Sequence, residues 1–441
     1  MTKVLFIATS IPFPPRQGIE LPNAHIAEAL SKVFELDMLV IVRSPQDERL
    51  LEARRANVPA TIGEVFSLRS QGRSRHKKLW QELTLQRPTF FIEGYEKAAL
   101  KERFKNSPYD AVWVSPVGGL GLLAMCQQLG LPVAPIVALG CNDVITTTYL
   151  DSLREWVSGR LGFSRQRLFQ GLRSIVVWPL EKRYLQAVDL LHVQTPLEKK
   201  RAHWLLGKQA KQPIVIAAQN GRKRSLEAVV YNNQSPKTVL YMTHLKGGRA
   251  QESRWFLQKV WPKIVARHPD AKLLLAGTLP VPNGDIARSL PPEAEVLGFV
   301  EDLVKLYSSV SLAVVPIVHS TGLINRALDA LTAGVPMVST SPVLSTVAGC
   351  EPGRDALSAD SVDDFAAAVC RLLENPEQRQ ALSTAGRALA AQQPTWLEST
   401  QAIVAAMGAL QKQSEAEQHT VPTPPGQPLF KRQHFLRDNT F

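Results

Sequence analysis

Cysteine is scarce in this chain: Cys126, Cys141, Cys350 and Cys370 are the four in 441 residues. No two lie close enough in sequence to form a zinc knuckle or a redox pair, which argues against a metal-clipped or disulfide-stapled fold and for a reducing compartment. Long apolar runs are missing too. The longest are strand-sized or broken by Gly and Pro, short of the roughly 18 apolar residues that suggest a membrane span. Met1 to Ser10 has one Lys before an apolar stretch that runs into Pro12, Pro14 and Pro15, a pattern that predicts no secretory leader. The expected location is the cytoplasm, with any membrane contact peripheral. Acidic residues are the minority, 39 against 51 Lys and Arg, a net charge of +12. That surplus attracts anionic partners: nucleotides, phosphorylated or lipid-linked substrates, acidic membrane surfaces. Because RNP, helix-turn-helix and zinc signatures are lacking, no nucleic-acid partner is expected.

What is present is a soluble α/β grammar, with 45% hydrophobic and 20% charged residues. Lys3–Ala8 reads as a strand, a Pro/Gly loop runs through Gly18, Asn23–Val33 carries apolar residues at helical spacing, and Leu36–Val42 reads as a second strand. Strands at Ala111–Val114, Val133–Leu139 and Leu190–Gln194, with a helix over Gly121–Leu129, continue the alternation. A second set follows the polar stretch Gly221–Lys237. Its strands are Thr238–Met242, Lys272–Ala276, Leu312–Pro316 and Pro336–Ser339; its helices are Glu252–Arg267, Asp302–Ser309 and Leu323–Ala333. Helices at Val362–Glu374 and Pro376–Gln392 come next. The expectation is two Rossmann-like, doubly wound domains, residues 1–215 and 216–395, facing a central cleft. A helix over 396–412 is expected to pack back on the first domain, and residues 413–441, rich in Pro and ending in basic and aromatic residues, to be a disordered tail.

The stretch Val314–Thr340 is the most informative. A strand delivers the chain to the loop His319–Gly322, and a helix starts at once. Thr321 can cap it, Gly322 permits close approach, and the first-turn amides suit a diphosphate. Arg326 lies in the helix's opening, where a guanidinium can fork onto a phosphate, and Asp329 lies three residues beyond. Gly334 ends the helix and Pro336 forbids its continuation. Ordinary strand-loop-helix packing with a surface Arg and Asp fits the same residues.

This segment resembles the donor-binding segment of retaining glycosyltransferase family 4, GT-B enzymes that use nucleotide-activated sugars. Two family glutamates fall on Thr321 and Asp329, and neither is Glu here. Asp329 can still accept ribose hydroxyls. The Gly322, Asn325 and Arg326 pattern is similar to a bacterial exopolysaccharide-type branch. The resemblance covers most of residues 3–405. Pro12 to Pro15 with Gly18 look like the first loop that approaches donor phosphates. Glu181–Glu198 resembles the end of the N-domain, Asn220-Gly221 the start of the hinge, and Gly298 to Asp302 part of the C-domain pattern. His244 and Arg249 occupy the places of a diphosphate-clamping pair, with Lys246 as a substitute cation. Asn142-Asp143 follows a strand; Asp143 can orient an acceptor hydroxyl or cap the helix from Val144.

The resemblance implies transfer of a sugar from a nucleotide diphosphate sugar to a hydroxyl acceptor, a polysaccharide or lipid-linked glycan, with retention and without a metal or other cofactor. Arg326, Arg249 and Asp143 are the expected catalytic residues. Gly18, His244, Thr321, Gly322, Leu323, Asn325 and Asp329 are the expected donor contacts. A non-catalytic relative that binds nucleotide sugar or glycan as a scaffold is the alternative, motivated by the two replaced glutamates. Ser152–Tyr184, with seven Arg and Lys among bulky apolar residues, suits an anionic bilayer or an interdomain helix. Arg69–Lys78 is a second basic cluster of the same kind.

Overall fold

The computed structural model describes residues 2–15, 20–71, 76, 94–105, 109–115, 119–132, 134–141, 144–150, 165–207, 213–217, 220–233, 236–244, 250–278, 285–288, 290–317 and 323–420. They divide into two compact units, Met1–Gln219 with Leu397–Phe441, and Asn220–Trp396.

In the first unit the strands are β1 (Lys3–Ala8), β2 (Glu35–Val42), β3 (Ile62–Gln71), β4 (Gly94–Tyr95), β5 (Ala111–Val114), β6 (Ile136–Gly140), β7 (Leu190–Val193) and β8 (Ile214–Ala217). Their order across the sheet is β4-β3-β2-β1-β5-β6-β7-β8. All neighbours are parallel except β4, which runs against β3. Parallel pairing requires crossovers, and α1 (Glu20–Ser31), α2 (Pro45–Arg55), α3 (Lys97–Phe104), α4 (Leu120–Gln128), α5 (Arg165–Leu185) and α6 (Pro196–Leu206) lie in them. Helices on both faces explain why β1 reads as a continuous apolar run rather than an alternation. Leu5 and Ile7 enter one core, Val4, Phe6 and Ala8 the other.

The second sheet holds β9 (Thr238–His244), β10 (Lys272–Thr278), β11 (Ala294–Gly298), β12 (Leu312–Val315), β13 (Met337–Ser339) and β14 (Leu357–Ser358). It is wholly parallel, ordered β11-β10-β9-β12-β13-β14. Around it run α7 (Ala250–Trp255), a π turn (Phe256–Val260), α8 (Trp261–Arg267), α9 (Asp285–Arg288), α10 (Leu303–Ser308), α11 (Asn325–Ala333), α12 (Ser341–Leu344), α13 (Val362–Glu374) and α14 (Pro376–Ala391). Leu240, Ala313 and Val315 face one core and Val239, Tyr241, Leu312 and Val314 the other. In both sheets the winding reverses beside the first strand, between β1 and β5 and between β9 and β12. Such a switch point leaves a crevice at the carboxyl ends of its two strands, where doubly wound folds bind ligands.

Several expectations are corrected. The strand predicted over Val133–Leu139 starts at Ile136, because Pro132 and Pro135 supply no ladder donor. The helix expected over Glu252–Arg267 contains a π turn just before Pro262, whose ring nitrogen has no hydrogen to donate. The helix expected from Leu323 starts at Asn325, with Ile324 at its N-cap, and Thr321, the expected cap, lies outside the described residues. The last helix, α15 (Trp396–Thr420), runs through residues 413–420, which were expected to be disordered. Its Gln411 Nε2 donates to Glu415 Oε1 one turn on, at 2.8 Å, and Pro422 disfavours helix at the residue before it. Ile403 and Met407 of α15 bury against the first sheet's Val4 and Phe6 core. Residues 421–441 lie outside the described residues. Among those described, no helix is long and apolar enough to cross a membrane.

Candidate functional site

The second unit's switch point gathers the chemistry. From α11, Arg326 Nη1 donates to the Met242 carbonyl at 2.7 Å, which brings its guanidinium to the carboxyl end of β9. Met242 is the residue before the last two of that strand. On the next face of α11, Asn325 and Asp329 stand one turn apart and receive the segment that opens the unit. Asn220 Nδ2 donates to Asn325 Oδ1 and Lys223 Nζ to Asp329 Oδ2, each at 2.8 Å. Asn220 and Asp329 are buried, and Lys223 keeps about a quarter of its side chain in solvent, 27%. Ile324 has no side-chain oxygen for capping, so no cap side chain bonds the first-turn amides of α11. Its far end closes at Gly334, whose φ is +66°; a Cβ there would stand 2.1 Å from Arg387 Nε. Arg387 Nη2 in turn donates to the Ala333 carbonyl at 2.7 Å, placing a cation at the helix's negative end.

Burial pushes the Asp329 carboxyl above its ordinary range, with Lys223 and Arg326 pulling it down. Tyr307 of α10, fully buried beside Asp329, is raised well above the usual phenol value, chiefly by burial. The sign of the Asp329 effect follows from linkage. A carboxyl raised in the folded state favours folding fully below its unfolded value, near 3.9, and this stabilisation is lost as pH rises through the folded value. Wild-type stability is therefore expected to fall relative to Asp329→Asn as pH climbs from about 4. Urea unfolding of both proteins at stepped pH reads the difference; a gap that moves the other way contradicts this assignment.

In the first unit, Arg54 of α2 ties down the loop after β1. Its Nη1 donates to the Ile11 carbonyl at 3.0 Å and to Glu20 Oε1 at 2.9 Å, with both side chains buried. At the end of β5, Ser115 Oγ donates to Asn23 Oδ1 at 2.6 Å. Beyond β6, the amides of Val144, Ile145 and Thr146 donate to Glu198 Oε2, Glu181 Oε1 and Glu181 Oε2 at 3.0, 2.8 and 2.8 Å. Two buried glutamates, from α5 and α6, thus hold the amides that open the helix following β6. Burial pushes the Glu181 carboxyl up while the amides hold its charged form. Replacing Glu181 by Ala leaves two amides without a partner and is expected to cost roughly 2–4 kcal/mol, with Gln recovering part of it. Chemical denaturation measures this; a cost equal for Ala and Gln contradicts the amide contacts.

Of the expected site residues, the structure brings Asn325, Arg326 and Asp329 together, with Leu323 buried just before the helix. The backbone of His244 closes β9. Gly18, Asp143, Lys246, Arg249, Thr321, Gly322 and the side chain of His244 lie outside the described residues. Lys223 was not read from the sequence; its one signal is its place two residues after the Asn220-Gly221 pair. Tyr307 looks like any core aromatic of an amphipathic helix, and the Met242 carbonyl has no sequence signal. Among the described residues, no group of three His, Cys, Asp or Glu is placed to hold a metal ion.

Residues 236–375, inside the second unit, match the family model described as Glycosyl transferases group 1. No curated protein matches the chain. Solved structures do. Sucrose-phosphate synthase from Thermosynechococcus elongatus is 18% identical, with a TM-score of 0.64 over 95% of this chain and 100% of that one. Anabaena HepE in complex with UDP-glucose is 14% identical, with a TM-score of 0.62 over 93% and 100%. A variant of S. aureus TarM, in complex with Fondaparinux, alpha-GlcNAc-glycerol and UDP, is 9% identical, with a TM-score of 0.61 over 93% and 100%. With the two parallel sheets, these likenesses show a two-unit, Rossmann-like GT-B fold.

Proposed function

We propose that the protein transfers a sugar from a nucleotide diphosphate sugar to a hydroxyl of a polysaccharide or lipid-linked glycan, with retention of configuration and without a metal. One observation carries the reading: Arg326 reaches the carboxyl end of β9 at the switch point, inside the segment that matches Glycosyl transferases group 1. Neighbours of the same fold in complex with UDP-glucose or UDP support the donor class, and TarM with Fondaparinux and alpha-GlcNAc-glycerol supports a glycan acceptor.

The chemistry asked of the chain is electrostatic. As the bond between the anomeric carbon and the donor diphosphate breaks, negative charge grows on the leaving oxygen. The Arg326 guanidinium and the amides opening α11 stabilise that charge, with Arg249 as a second cation. The acceptor oxygen bonds to the anomeric carbon and its proton passes to the leaving phosphate, so no carboxylate nucleophile is needed. Asp329, held by Lys223, fixes the face of α11 and accepts a ribose hydroxyl on the carboxylate edge that Lys223 leaves.

The scaffold alternative draws on the same ion pair, because Lys223 holds the one carboxylate that stands at a family glutamate position. Turnover separates the two readings. Purified protein is offered UDP-, GDP-, dTDP- and ADP-sugars, with and without a membrane lipid extract, and nucleoside diphosphate release is scored. Release from one donor class, increased by the extract, is the expected result. Donor binding without release under any condition favours the scaffold.

A further inference from the structure

Five of the eleven exposed large apolar side chains among the described residues sit on two neighbouring helices, α5 and α6. On α5 they are Leu172, Ile175 and Trp178, spaced three residues apart, with exposed Pro179 extending the stripe. Ile175 is 69% exposed, the highest value of the five. Trp204 of α6 stacks on Trp178 with ring centroids 5.2 Å apart, yet the two indoles remain 50% and 44% exposed. Two stacked indoles half in water make no sense as core. The stack joins the helices into one outward apolar face, a feature monomeric soluble surfaces rarely carry without a use.

Charge around this face has one sign. Each helix holds a single acid, Glu181 on α5 and Glu198 on α6, and both are buried, 0% and 1% exposed, against the amides of residues 144–146. What remains toward solvent is basic. Lys182 and Arg183 continue the stripe of α5, and Lys199, Lys200 and His203 lie beside Leu197 and Trp204 on α6. Apolar and aromatic residues ringed by cations, with both acids withdrawn, complement an anionic bilayer. Indoles settle at its interface, aliphatic side chains enter the acyl boundary, and lysines meet the phosphates from the rim.

We infer that the outer face of α5 and α6, centred on Ile175 and the Trp178–Trp204 stack, docks the protein on an anionic lipid bilayer. This deepens the function proposed above by placing the enzyme where a lipid-linked acceptor resides, and its test needs neither donor nor acceptor. The full chain is sedimented with phosphatidylcholine vesicles, with or without phosphatidylglycerol, at low and high salt. Binding should require phosphatidylglycerol, weaken with salt, and fall about tenfold or more in Trp178→Ser with Trp204→Ser. Ile175→Asp gives an independent single-site variant; near-wild-type circular dichroism and melting confirm that each variant folds. Brominated lipid should quench wild-type tryptophan fluorescence, and the double variant should lose that quenching. Absence of vesicle binding overturns the inference. So does binding that survives all three substitutions, which would assign contact to another segment such as the basic tail. Sedimentation velocity that shows a wild-type dimer broken by Ile175→Asp, with lipid binding unchanged, assigns the face to a second copy instead.

Discussion

Arg326→Ala is expected to lower kcat/KM for sugar transfer by about 10²–10³-fold, the loss typical of removing one preorganised donor to developing negative charge. The guanidinium is preorganised in a literal sense: one of its nitrogens is engaged by the Met242 carbonyl at 2.7 Å, so the group does not have to be gathered from solvent when the donor arrives. A lysine at this place keeps the charge but loses the fork and the simultaneous bond to the strand, and Arg326→Lys should recover only part of the rate. Because the charge develops as the diphosphate leaves, kcat should carry most of the loss. A rise in KM with kcat unchanged would mean uniform binding of donor and transition state. An Arg326→Ala enzyme within about threefold of wild type removes Arg326 from the site. Thermal unfolding of the variant checks that the lost Met242 contact has not simply loosened α11.

The second large effect is on stability. Gly277 has φ +126°, and a Cβ on it would stand 2.1 Å from the Thr243 carbonyl oxygen in the neighbouring strand. Neither partner can yield cheaply, since both belong to sheet backbone at the ends of β9 and β10. Strain at the dihedral and overlap with the carbonyl are each of order 1–3 kcal/mol, so Gly277→Ala is expected to destabilise the second unit by roughly 4 kcal/mol. Unfolding monitored by chemical denaturation reads it directly. A cost below about 1 kcal/mol would show that the strand ends can separate without penalty. The same substitution should disturb donor binding, since β9 carries the Met242 carbonyl that holds Arg326.

Much of the fold is legible before any coordinates. Strands such as Lys3–Ala8, Ala111–Val114 and Leu312–Val315 are unbroken apolar runs because parallel strands with helices on both faces have no solvent side. β3 was not read as a strand, since Gly63, Glu64, Ser67, Arg69 and Ser70 interrupt its pattern on the less protected side of the sheet, where β4 is its last neighbour. β8, the strand at the opposite edge, is only four residues long and follows a polar stretch. At the site, the strand-loop-helix of residues 312–334 is visible because Gly and Pro punctuate it, and the placement of Arg326 three residues before Asp329 follows from helical geometry. The partners are not visible. Nothing local in the sequence says that Lys223, more than a hundred residues earlier, meets Asp329 at 2.8 Å, or that Glu181 and Glu198 hold the amides of residues 144–146. Such pairings depend on which elements lie side by side, and the orders of the two sheets, β4-β3-β2-β1-β5-β6-β7-β8 and β11-β10-β9-β12-β13-β14, set that.

Calorimetric titration of wild type and Arg326→Ala with UDP, GDP, dTDP and ADP tests the donor site most directly, since it asks for binding alone. If a nucleotide diphosphate sits at the carboxyl ends of β9 and β12, one of the four should bind the wild type and bind Arg326→Ala at least about tenfold more weakly. Equal affinity for both proteins, or no affinity for any of the four, would contradict a donor site at Arg326.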